Sequence, residues 1–150
     1  MPAPSGRVNS AVNDAKKIYI IGIGDDRPAG FTQQARSRVA AADLVIGAVA
    51  LTGALQDCDA EKWDPGGDFQ AVLEKVGNHA DDDVVILASG DPLFYGVARF
   101  LCDHLGKERF EVLPHVSSMQ LAFARVKESW DEAYLTNLAS QDPERVVERI

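Results

Sequence analysis

Cysteine is scarce in this sequence. Cys58 and Cys102 stand far apart and form no Cys-x-x-Cys pair. That excludes zinc-ligand spacing and a disulfide framework, and it reads as two reduced thiols in a cytoplasmic protein. No apolar run approaches a bilayer span, and residues 1–15 lack the apolar centre of a secretory signal. No membrane role is expected. Basic clusters are missing too: no run of Lys or Arg exceeds two residues, and the formal net charge is -8. A nucleic-acid partner would therefore find no electrostatic footprint. The acidic run Asp81-Asp82-Asp83 precedes a strand at its amino end and reads as a solvated turn, so no metal is expected. A third glycine is also absent. After Gly22-Ile23-Gly24 the dinucleotide fingerprint requires glycine where Arg27 stands. The Gly-x-Gly then reads equally well as a tight strand exit.

What is present is a hydrophobic content of 46% in 150 residues, enough for one packed domain. Ile18 to Ile23 is a β-branched run, and Leu44-Val45-Ile46 and Val84 to Ala88 are short continuous apolar runs. Such runs suit strands buried on both faces. A short strand is also expected near Glu61-Lys62-Trp63, and another at Phe110 to Leu113. Between them lie helical patterns. Thr32 caps the first, with Ala35, Val39 and Ala42 on one face. Ala48 to Leu55 holds a short helical turn. Asp68 caps a helix carrying Phe69, Val72, Leu73 and Val76, which Gly77 stops. Phe94, Val97 and Leu101 mark a third, ending before Gly106, and Ser117 or Ser118 caps a fourth. Strands alternating with helices predict an α/β fold: an open parallel sheet with helices on both faces.

The stretch Ser89-Gly90-Asp91-Pro92-Leu93-Phe94-Tyr95-Gly96 follows the strand at 84–88. It lies where open α/β sheets bind their ligands, outside the strands' carboxyl ends. Asp91 admits two readings there. Its carboxylate can accept from a ligand amine or ribose hydroxyl, or it can bond its own turn. Phe94 and Tyr95 can line a flat ligand's pocket or pack in the core. His115 follows a strand on the same side of the sheet and is a candidate general base, without a visible orienting partner. Arg36, Arg38 and Lys62 could meet carboxylates, against a default of solvated surface. His79 and His104 read as surface residues.

These stretches resemble the tetrapyrrole (corrin/porphyrin) methylase family. The octet at 89–96 is similar to its Ser-Gly-Asp-Pro-x-Phe-Tyr-Gly loop. Ile20 to Gly24 resembles its opening strand and glycine turn, and Phe31-Thr32 with Ala42 to Gly47 its first helix and second strand. Leu113-Pro114-His115-Val116-Ser117-Ser118-Met119-Gln120-Leu121-Ala122 resembles a further signature segment. That last form, followed by Trp130-Asp131-Glu132-Ala133, most resembles the precorrin-6Y methylase branch of cobalamin (vitamin B12) biosynthesis. The resemblance implies a two-lobed protein that uses S-adenosylmethionine. It implies cofactor contacts at Gly90, Asp91, Pro92, Ser117 and Ser118. It implies substrate contacts at Gly22 and Gly24, with Tyr95 added as a candidate. The implied reaction is methyl transfer to a meso carbon of a precorrin macrocycle. Same-fold methyl transfer to another tetrapyrrole, RNA or protein is the alternative, as is a non-catalytic isolated lobe. Two departures stand out: His115 where the family usually has glycine, and Asp25-Asp26 after Gly24.

The expected organisation is a disordered leader at 1–16 and an N-terminal lobe at 17–128. Residues 129–150 are then a linker and the start of a truncated C-terminal lobe. Ala133 to Leu138 is expected to form a strand. Asp142-Pro143-Glu144 reads as a helix start, with an apolar face begun by Val146, Val147 and Ile150. Apolar surface left by a missing second lobe would favour association, so a homodimer is allowed for.

Overall fold

The computed structural model describes residues 16–136, 144 and 147. Five strands form one sheet: β1 (Ile18–Ile23), β2 (Leu44–Ile46), β3 (Glu61–Trp63), β4 (Val84–Ser89) and β5 (Phe110–Leu113). The order is β3-β2-β4-β1-β5 and every pairing is parallel. β4 is thus the central strand, hydrogen-bonded on both edges. The register sets Ile23 beside Ser89 and Ile21 beside both Leu87 and Leu113, so the exits of β4, β1 and β5 emerge together.

Successive side chains of a strand point to opposite faces, and here each face meets apolar partners. Ile18, Ile20, Leu44, Ile46, Val84 and Ile86 turn to one face. There they pack on Val72 and Val76 of α3 (Phe69–Asn78) and on Ala98 and Leu101 of α4 (Val97–Leu105). Ile21, Ile23, Val45, Val85 and Leu87 turn to the other face. They meet Phe31, Leu55 and the Ala35 and Val39 pair of α1 (Gln33–Ala40). Burying each large aliphatic side chain is worth about 1.5–3 kcal/mol, so these two layers carry the fold. A short helix, α2 (Val49–Thr52), follows β2, and α5 (Ser118–Val126) follows β5. No residue of α5 is buried.

The five strands predicted between residues 18 and 113 and the helices that follow them are present, and the caps are where the sequence sets them. Thr32 Oγ1 accepts from the Ala35 N–H, and Asp68 accepts from those of Gln70 and Ala71. Three expectations are corrected. Gly77 does not stop α3: the helix runs to Asn78, and His79, tied to Asp82 at 2.6 Å, closes it. The helix after the octet does not open at Phe94 but at Val97. Tyr95 takes a left-handed φ of 52°, which breaks helical continuity. Ala133 to Thr136 carries no strand. The leader to residue 15 and the Asp142-Pro143 helix start lie outside the described residues.

Candidate functional site

Three strand exits are knitted together at the carboxyl edge. The Gly90 N–H donates to the Ile23 carbonyl at 2.9 Å, and the His115 N–H donates to the Gly90 carbonyl at 3.2 Å. Gly22 makes this approach possible. A Cβ there would lie 2.0 Å from the Gly90 oxygen and 2.6 Å from the His115 nitrogen, both backbone atoms. Gly90 itself has φ 63°, a conformation that glycine adopts without a Cβ penalty. The glycines of β1 and of the octet are therefore one structural unit.

Beside this knot lies a cleft of 140 Å³ lined by Gly24, Ser89, Gly90, Asp91, Val116, Ser117, Ser118 and Leu121, among others. It brings together five predicted residues: Gly24, Gly90, Asp91, Ser117 and Ser118. Asp91 makes the bond to its own turn. Its Oδ1 accepts from the Leu93 N–H at 2.9 Å, pinning the turn. Its other oxygen has no hydrogen-bond partner among the described residues. Ser117 is buried and caps α5 reciprocally: its hydroxyl accepts from the Gln120 N–H, and the Gln120 side chain accepts from the Ser117 N–H. Ser118 stays exposed beside it. The N–H groups of Ser118 and Met119 have no carbonyl to reach in the first helical turn.

The other predicted residues lie outside the cleft. Pro92 is buried in the turn after β4 and Gly22 near the end of β1. Tyr95 faces a separate groove with Phe69, Leu93, Phe100 and Leu135. The His115 ring lies against Gly24, where an added Cβ would come within 2.7 Å of Nδ1. Its Nε2 approaches Asp26 Oδ1 at 3.3 Å, and its Nδ1 is buried without a hydrogen-bond partner among the described residues. His115 does not have a positive φ, so the β5 exit turn accepts a histidine without backbone strain. Asp26 is the orienting partner that sequence reading missed. The two residues are remote in the chain, and only the parallel pairing of β1 with β5 unites their exit loops. Val116 and Leu121 were missed as cleft walls. Their signal was available, as apolar residues flanking a capping serine.

The arginines and lysine suggested for carboxylates have local partners. Arg36 donates to the Ala29 carbonyl, Lys62 donates to that of Leu55, and Arg38 stacks over Tyr19 at 4.2 Å. In the acidic run, Asp83 pairs with Lys16 at 2.8 Å.

Fold and cleft together define an open parallel α/β lobe whose crevice lies at the carboxyl edge, beside its central strand. The chain belongs to the tetrapyrrole (corrin/porphyrin) methylases, whose family model matches residues 17–149. Precorrin-6Y C(5,15)-methyltransferase (decarboxylating) of Mycobacterium tuberculosis is 34% identical over 134 residues, covering 88% of this chain and 34% of that protein. Cobalt-precorrin-7 C(5)-methyltransferase of Salmonella typhimurium is 31% identical over 123 residues, covering 80% of this chain and 60% of that protein. The chain thus spans a third to three fifths of these relatives' lengths. Among solved structures, the precorrin-6Y methylase of Archaeoglobus fulgidus has the same fold, with a TM-score of 0.64 at 24% identity over 77% of this chain and 61% of that one. No described helix is long and apolar enough to cross a membrane.

Proposed function

We propose that this chain provides the N-terminal lobe of an S-adenosylmethionine-dependent methyltransferase acting on a precorrin-type tetrapyrrole in cobalamin biosynthesis. The observation that carries the reading is the convergence of Gly24, Gly90, Asp91, Ser117 and Ser118 on one cleft in a chain of this family. The greater length of the relatives supports a second lobe beginning near residue 129. The free cysteines suit a cytoplasmic setting.

The residues present fit the cofactor chemically. The Asp91 oxygen that has no partner among the described residues can accept from a ribose hydroxyl or an amine. The N–H groups opening α5 can donate to an acceptor, favoured by the positive end of the helix. Val116 and Leu121 offer apolar walls. When bound, the cofactor supplies a methyl group on a sulfonium, which needs no covalent help from the protein. The chain's own part is to bind, align and exclude water. Alignment of this kind contributes on the order of 7–11 kcal/mol to lowering a barrier. The knotted turns suit that task, because backbone contacts fix their spacing. His115, held against Gly24 by Asp26, supports the shape of the β1 exit and lies outside the cleft lining.

Methyl transfer from labelled S-adenosylmethionine tests the reading, with precorrin-6Y-type, cobalt-precorrin-7-type and ribosomal RNA acceptors compared by mass spectrometry. One added methyl on a corrin precursor is expected. Transfer to RNA alone would overturn the substrate assignment.

A further inference from the structure

We propose that Tyr95 is a positioning residue that ties the segment 131–136 to the wall of the cleft. The inference rests on the cofactor reading above and deepens it. Phe94 lines both the cleft and the 590 Å³ groove, so the two share this residue and its ring. Tyr95 packs edge-on against that ring, with centroids 5.0 Å apart. The Tyr95 hydroxyl then donates to the Leu135 carbonyl at 3.0 Å, which closes a contact between two distant stretches of chain. Leu135 also lines the groove.

The backbone gives an independent observation. Tyr95 has φ 52°, a region that bulky side chains occupy only when their surroundings impose it. The turn that imposes it is tight. Gly96 follows directly, and a Cβ there would lie 2.9 Å from the Pro92 carbonyl oxygen. The Asp91 carbonyl accepts from the Phe94 N–H at 3.0 Å, closing the same turn. The left-handed residue turns the Tyr95 side chain out of the helical path and towards Leu135, while the Asp91 end faces the cleft. One short loop therefore carries a cleft carboxylate at one end and a tie to segment 131–136 at the other. A ligand that orders Asp91 and Phe94 will order Tyr95, and through it the segment, which does not itself line the cleft. The coupling is reciprocal, as linkage requires.

Hydrogen–deuterium exchange on the full chain tests this, with and without S-adenosylhomocysteine, in wild type and Tyr95→Phe. The variant keeps the ring and removes only the hydroxyl. Without ligand, exchange at 91–96 and 131–136 should be roughly 2- to 10-fold faster in the variant, the effect of one lost hydrogen bond. Equal rates would overturn the tie. In wild type, ligand should slow exchange at 89–91 and 117–121 and also at 131–136. In Tyr95→Phe the first two protections should persist and the third should vanish, a split that general destabilisation cannot produce. Protection of the cleft without protection of 131–136 in wild type would overturn the coupling alone. No protection anywhere would overturn the cofactor reading and the coupling with it, while the ligand-free comparison still decides the tie.

Discussion

The two halves of the sheet's carboxyl edge are held by different mixtures of backbone and side-chain contacts. At the exits of β1, β4 and β5, backbone meets backbone across Gly22 and Gly90, with no side chain between. At the exits of β2 and β3 one backbone bond, from the Gly47 N–H to the Trp63 carbonyl at 3.0 Å, is supplemented by an exposed carboxylate. Asp64 accepts from the Val49 N–H at 2.9 Å and from the Gly66 N–H at 2.8 Å. Those two bonds hold its carboxyl below the usual carboxylate range. The candidate cleft opens on the backbone-knotted half. The difference teaches where the fold invests rigidity: a contact between main-chain atoms does not depend on protonation or on a side-chain rotamer, whereas a carboxylate clamp depends on both.

Substitution at Gly22 is the strongest way to break the contrast. Gly22→Ala drives a methyl into two backbone atoms that cannot swing aside, so the cost should reach the upper end of overpacking, about 3 kcal/mol. For a domain of this size that lowers the melting temperature by about 6–12 °C. A calorimetric scan showing no change would mean the knot is loose. Ser117→Ala comes next. It removes a buried cap that also positions the cleft's helix, and should cost about 1 kcal/mol by urea denaturation. A neutral result would leave the capping box without energetic meaning. The smallest effect belongs to Asp64. Its folded pKa is depressed, so its contribution is present above the ordinary aspartate range of about 3.9 and fades as pH falls through the lower folded value. The stability gap between wild type and Asp64→Asn should therefore shrink on acidification from about pH 6 towards pH 3. A gap independent of pH would show that the bonds do not need the charge.

The knotted half was legible in the sequence only in pieces. The buried β4 run, the Gly-x-Gly at the end of β1 and the cap at Ser117 each announce an element. Local periodicity carries that much because it records which face of an element is apolar. It does not record how separate loops meet. Asp26 and His115 become partners only once β1 and β5 pair in parallel, and Gly22 becomes indispensable only once Gly90 arrives against it. The loop after β4 shows the same limit at shorter range. Phe94, Val97 and Leu101 have helical spacing, yet the φ of Tyr95 delays α4 to Val97. Hydrophobic spacing cannot report a single left-handed residue. Gly77 failed for the converse reason: its flexibility permits a helix stop but does not compel one, and α3 continues past it.

The central claim is that the knotted half of the edge forms the cofactor cleft, with Asp91 offering one oxygen to the turn and one to the ligand. Calorimetric titration with S-adenosylhomocysteine tests it most directly, using wild type, Asp91→Asn and Asp91→Ala. The Asn variant keeps an acceptor for the Leu93 N–H, whereas the Ala variant loses both functions. Asp91→Ala should bind roughly 10- to 100-fold more weakly than wild type, the expected loss of hydrogen bonds to a charged group, with Asp91→Asn between the two. Equal affinity in all three proteins would contradict the claim.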